Sequence, residues 1–162
     1  MAVAMTEQQK HEFEESGFII LENFLTPQEL ARLSDAADEV VARIQCEKGL
    51  GVETHFQVRN ALAHHDAFLD LIDHPGMLPL VVDAIGWNIQ IRTTHLDYRP
   101  PYPLDMLAGE VGVGNGDDQK AGYRNVVWHP DLASPEIFQA PSLDGRLPFM
   151  EIKVFYCLFD MT

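Results

Sequence analysis

The stretch LTPQEL, residues 25–30, and the apolar series after it constrain the fold more than any other feature of the chain. Thr26 stands where an N-cap would, Pro27 at the first helical position and Glu29 at the third. A threonine hydroxyl and a glutamate carboxylate at that spacing satisfy two of the backbone N–H groups that a helix start leaves without partners. Leu30, Leu33, Ala37, Val40 and Ile44 then recur every three or four residues, so the helix carries one apolar face. Asp35, Asp38 and Glu39 fall on its polar side and read as solvated surface.

Other elements follow from similar signals. Thr6-Glu-Gln-Gln9 predicts a second capping box, opening a short helix that Gly17 closes. FIILEN, residues 18–23, is a compact apolar run that predicts a buried strand. VETHFQVRN after Gly51 predicts a strand, DAFLDLI from Asp66 a short helix, and MLPLVVDAIG a second apolar helix ended by Gly86. WNIQIRTTHLDYR, residues 87–99, is β-branched and roughly alternating, and predicts a long strand. Residues 100–122 read as loop, then YRNVVWHPD and LPFMEIKVFYCLFD as strands. Helices come first and strands last, which points to a single α+β or helix-decorated β domain over residues 1–162 rather than alternating βαβ units.

Charge excludes some partners. The formal net charge is −14 with only 11 Lys and Arg, which argues against a nucleic-acid-binding surface and against an anionic membrane surface. Cys46 and Cys157 are too few and too far apart for a disulfide framework or a zinc spacing. The N-terminus lacks a basic start followed by an apolar run, and no window reaches the 18 or more apolar residues of a membrane span. The expectation is a soluble, cytoplasmic protein. Gly112-Val-Gly-Asn-Gly116 follows a proline-rich loop and opens no helix, so it reads as loop and not as a dinucleotide fingerprint.

Three His-x-Asp pairs are present: His64 with Asp66, His95 with Asp97, and His129 with Asp131. Two such residues on an extended strand face the same way, and with a second histidine they form the 2-His-1-carboxylate set that holds non-haem Fe(II). Asp66 is placed to cap the helix DAFLDLI, so its pair has a structural explanation, and the His64-His65 doublet reads as a solvated helix entrance. His95 and Asp97 share a strand face. His129 and Asp131 stand where the apolar VVW meets Pro130 and a polar loop, a strand end. The residues themselves leave that pair open between half a metal site and a hydrogen-bonded surface pair.

The succession FEESGFIILENFLTPQELARL, GWNIQIRTTHLDYRPP, VVWHPD and MEIKVFYCLFDMT resembles the N-terminal half of the phytanoyl-CoA dioxygenase family, from about residue 10 onward. These are Fe(II)- and 2-oxoglutarate-dependent oxygenases on a double-stranded β-helix, or jelly roll. The resemblance implies N-terminal helices packed on that β-helix, with Fe(II), 2-oxoglutarate and O₂ acting on a small-molecule substrate. Position by position, His129 and Asp131 match the first two iron ligands. Asp131 favours hydroxylation-type oxidation, because related halogenases lack this carboxylate. His95, in HLDYRPP, becomes a cosubstrate contact, and Phe155 falls where a ring packs against the cosubstrate. Alternation puts Glu151, Lys153, Phe155 and Cys157 on one face, so Lys153 either reaches the same pocket or lies with Glu151 in solvent.

In the family, the second histidine ligand and the arginine for the far carboxylate follow a strand like the last one here. After Asp131 this sequence has the cations Arg146 and Lys153 and no histidine. The expectation is therefore a jelly roll incomplete at its C-terminus, with about three of eight strands, that binds iron weakly and turns over poorly or not at all. An upstream histidine such as His55 or His95 is a less economical third ligand. The alternatives are a non-catalytic binding or interaction domain on the same fold, dimerising through its final strand, and a generic acidic α+β protein whose His-x-Asp pairs are incidental.

Overall fold

The computed structural model describes residues 4–100 and 151–159. The helix opened by Thr6 is α1, Glu7–Ser16, and the capping box is complete: Gln9 N donates to Thr6 Oγ1 at 3.2 Å while Thr6 N donates to Gln9 Oε1 at 2.9 Å. Gly17, at φ +78°, ends it in the left-handed conformation that glycine adopts without a Cβ clash. No residue of α1 is buried. Polar contacts help tie it to the fold: Asp83 Oδ2 accepts from Met5 N at 3.1 Å and lies 3.5 Å from Lys10 Nζ. Lys10 is held above the usual ammonium range, first by its hydrogen bond to Glu7 and then by the charge of Asp83.

Helix α2, Pro27–Lys48, begins with the second capping box and ends at Gly49, φ +62°. Leu33, Ala36, Ala37, Val40 and Ile44 are its buried residues, with Val40 wholly inaccessible. At ~100° per residue these positions cover an arc from Ala36 to Ala37. Leu30 falls just outside that arc, which is why it is exposed despite the spacing that grouped it with the apolar face.

The partner layer is small. Strand β1, Phe56–Arg59, pairs antiparallel with β2, His95–Tyr98, in the register Phe56↔Tyr98, Gln57↔Asp97, Val58↔Leu96 and Arg59↔His95. Val58 and two short 3₁₀ segments, Ala61–Ala63 and Asp66–Leu71, complete the core through Ala61, Ala67 and Phe68, with Phe56, Leu96 and Leu158 packed against it. Arg32 of α2 is paired with Asp70 across this junction. Helix α3, Leu78–Ile85, stops at Gly86, φ +84°, as its sequence predicts.

Several expectations are corrected. Residues 18–23 form no strand: Asn23 takes φ +51° inside a turn, which breaks the extended run, and Phe18 and Ile20 are 58% and 73% exposed. The long strands read over 52–60 and 87–99 shorten to four residues each, the length over which the two find one another as partners. Asp66–Leu71 is 3₁₀ and not α-helical, and its cap is His65 rather than Asp66: Ala67 N donates to His65 Nδ1 at 3.0 Å. The described part of the last predicted strand, residues 151–159, makes no strand pairing. The described residues thus form a mixed helical fold with one two-stranded antiparallel sheet and no barrel. No helix among them is long and apolar enough to cross a membrane.

Candidate functional site

Strand β2 has two different faces. Leu96 turns toward the core beneath α2, and Tyr98 stacks on Phe56 with ring centroids 5.2 Å apart. Alternation sends His95 and Asp97 to the opposite, exposed face. There Asp97 Oδ1 accepts from Gln57 Nε2 at 3.0 Å, His95 Nε2 lies 3.1 Å from Thr93 Oγ1, and Arg59 is the direct cross-strand neighbour of His95. The shared face predicted for His95 and Asp97 is therefore present, and it is the exposed one.

Residues 151–159 bring in the other expected group. Lys153 is exposed and Phe155 is 77% exposed, so both are accessible. Glu151 does not lie in solvent: it pairs with Arg92 at 2.5 Å, and its side chain is only 18% exposed. With Arg92 two residues before Thr94 and three before His95, this ion pair fixes the segment beside the approach to β2. His129 and Asp131 lie outside the described residues. Among the described residues, no three or more His, Cys, Asp or Glu converge to hold a metal ion, so neither His55 nor His95 joins such a group there.

A polar cluster at the start of α2 escapes the sequence reading. Glu29 divides its carboxylate: Oε2 accepts from Thr26 N at 2.8 Å and from Thr26 Oγ1 at 2.7 Å, and Oε1 faces His74 Nε2 at 3.2 Å. Gly76 N donates to His74 Nδ1 at 3.1 Å. Nδ1 must then be the acceptor, so the neutral ring carries its proton on Nε2 and donates it to Glu29. These bonds, the Thr26 hydroxyl foremost, hold Glu29 below the usual carboxylate range. The His74 ring lies 5.0 Å from Phe24, which in turn lies 6.3 Å from Tyr156. Burial, and secondarily the charge of Glu29, pushes the Tyr156 phenol up to about 12. Its oxygen is buried without a hydrogen-bond partner among the described residues. The signal that was available is His74-Pro75-Gly76, a turn sequence in which a histidine takes the capping part usually played by Asp or Asn.

An open cavity of about 540 Å³ lies between α3 and the turn at Asp73, lined in part by Pro75, Val82 and Trp87, and takes in none of the predicted site residues. No family model, curated protein or solved structure matches the chain.

Proposed function

We propose that this chain contributes His129 and Asp131 as the first two ligands of an iron centre, in an Fe(II)- and 2-oxoglutarate-dependent oxygenase of the phytanoyl-CoA dioxygenase type that hydroxylates a small organic substrate. The observation that carries the proposal is the division of β2. A histidine can contact a cosubstrate only if it points away from the helical core, and His95 occupies the exposed polar face while Leu96 fills the core.

The donor set fits the group. A neutral imidazole and a carboxylate two residues apart are the ligand types that hold Fe(II) while leaving positions for other ligands. When bound, iron with 2-oxoglutarate and O₂ supplies an oxidative decarboxylation to succinate and CO₂, coupled to oxidation of a substrate C–H bond. His129 and Asp131 would hold the metal, with Asp131 occupying the position a halide would otherwise need. His95, steadied by the Thr93 hydroxyl, would contact the cosubstrate. Lys153 would lend its ammonium to a cosubstrate carboxylate, and Phe155 would pack its ring against the same molecule and exclude water. The Arg92–Glu151 pair would keep the 151–159 segment in register for both.

Anaerobic Fe(II) titration of wild type, His129→Ala and Asp131→Ala tests the proposal. Weak, saturable binding in wild type that disappears in both variants is the expected result. An affinity unchanged by His129→Ala would return the His-Pro-Asp sequence to an incidental surface pair.

A further inference from the structure

Between the C-terminal half of α2, β1 and the turn at His64 the fold leaves a groove of about 440 Å³, lined by Ile44, Lys48, Gln57, Val58, Arg59 and His64. None of the six is acidic, in a chain whose formal net charge is −14. Ile44 and Val58 are buried and give the groove an apolar floor. Gln57 is committed to Asp97 through its 3.0 Å bond. That leaves Lys48, Arg59 and His64, contributed by three separate segments, as the polar groups free to meet a ligand.

The chemistry of His64 is set by Arg43. Arg43 donates from Nη2 to the His64 carbonyl oxygen at 3.0 Å, and the same nitrogen lies 3.4 Å from His64 Nδ1. A guanidinium has donors and no acceptor, so Nδ1 is the accepting nitrogen and the ring proton resides on Nε2. His64 thus presents its Nε2–H as a donor. Among the described residues neither Lys48 nor Arg59 forms an ion pair. Lys48 has a separate structural role, since a cation in the last turn of α2 complements the partial negative charge of the helix C-terminus. Arg59 has no such role. Cations gathered without counter-charges repel one another, and the arrangement is relieved when an anion enters.

We infer that this groove binds a small oxyanion of the phosphate class, inorganic phosphate or a phosphomonoester, through Lys48, Arg59 and the Nε2–H of His64. Three donor-bearing residues lining one groove from different segments suit a tetrahedral anion with several oxygens, whereas a planar carboxylate is matched by one bidentate guanidinium. The inference does not depend on the iron centre.

The test is titration of inorganic phosphate into the isotope-labelled chain, followed by NMR. Saturable shifts concentrated on the Arg59 side chain, the His64 ring and the amides of residues 57–64 are expected, with affinity falling as NaCl rises. Arg59→Gln should weaken binding about tenfold or more, the loss of one charge-assisted hydrogen bond, while Lys10→Gln on remote α1 should bind as wild type does. Glycerol phosphate binding more tightly than phosphate would identify a phosphomonoester, and equal affinity would identify phosphate itself. Shifts that never saturate, that centre on Lys10 or on His95, or that persist unchanged in Arg59→Gln would overturn the inference. If Arg59→Gln does not fold, the location of the wild-type shifts decides alone.

Discussion

Helix α2 and the β1–β2 pair each have one buried and one exposed face, but only the helix carries its folding instructions within its own 22 residues. Its start is fixed by Thr26 and Glu29, its end by Gly49, and its buried face by a repeat that returns every turn. The sheet has four residues in each strand, separated by 35 residues of chain, and exists only where the two meet. The helical side therefore concentrates stability. The outer face of the sheet, with Gln57, Arg59, His95 and Asp97, contributes little to packing and is where chemistry is affordable.

The contrast can be broken most forcefully at Phe68, which is 5% exposed beneath α2. Phe68→Ala should cost about 3–5 kcal/mol in urea unfolding, a large part of the stability of any small domain. A loss below about 1 kcal/mol would mean that the helical side is not the stable one. Thr26→Ala comes next, at about 1 kcal/mol, because it leaves the Glu29 backbone N–H without its hydroxyl acceptor and the Glu29 carboxylate without its hydroxyl donor. It also has a pH signature. Glu29 is depressed in the folded protein, so its contribution is present above the ordinary carboxylate range and fades as pH falls through the lowered value. Urea midpoints measured across the acid range should fall less steeply in Thr26→Ala than in wild type.

Tyr156→Phe sharpens the comparison from the other side. Removing a buried hydroxyl that has no partner among the described residues should leave stability unchanged or raise it by up to about 1 kcal/mol. In wild type the phenol is raised to about 12, so it favours the folded state up to the ordinary tyrosine range and that advantage is lost as pH climbs through about 12. Ultraviolet titration should find one phenol ionising well above the ordinary tyrosine range, and Tyr156→Phe should remove that step. The smallest effect belongs to His95→Ala, which should change stability by no more than about 0.5 kcal/mol, since His95 is exposed and packs on nothing in the core. A loss of several times that size would make His95 a structural residue.

What was legible in the sequence follows the same division. Thr6, Gly17, Thr26 and Gly86 act within a few residues of themselves, and the helix ends they predict are where the structure has them. Strand extents were read too long because alternation records which residues are able to pair and not how many find a partner. The run FIILEN was misread for a related reason: its apolar content matched a buried strand, but the positive φ of Asn23 turns the chain before a ladder forms. His65 and His74 as caps were missed because histidine rarely takes that part, and both are held by a glutamate of α2, Glu39 at 3.8 Å and Glu29 at 3.2 Å. Of the candidate site, the face shared by His95 and Asp97 was readable from two-residue periodicity. The contacts of Glu151 with Arg92 and of Glu29 with His74, spanning 59 and 45 residues, left no local trace.

The most direct test of the division between a structural and a functional face uses Mn(II) as a paramagnetic stand-in for iron at His129 and Asp131. Its relaxation effect falls off steeply with distance, so NMR reads which side of β2 the metal occupies. The account predicts that the ring protons of His95 broaden well before the methyl groups of Leu96 and Val40, and that the effect vanishes in His129→Ala. Broadening that reaches Val40 as early as His95, or that survives His129→Ala unchanged, would contradict it.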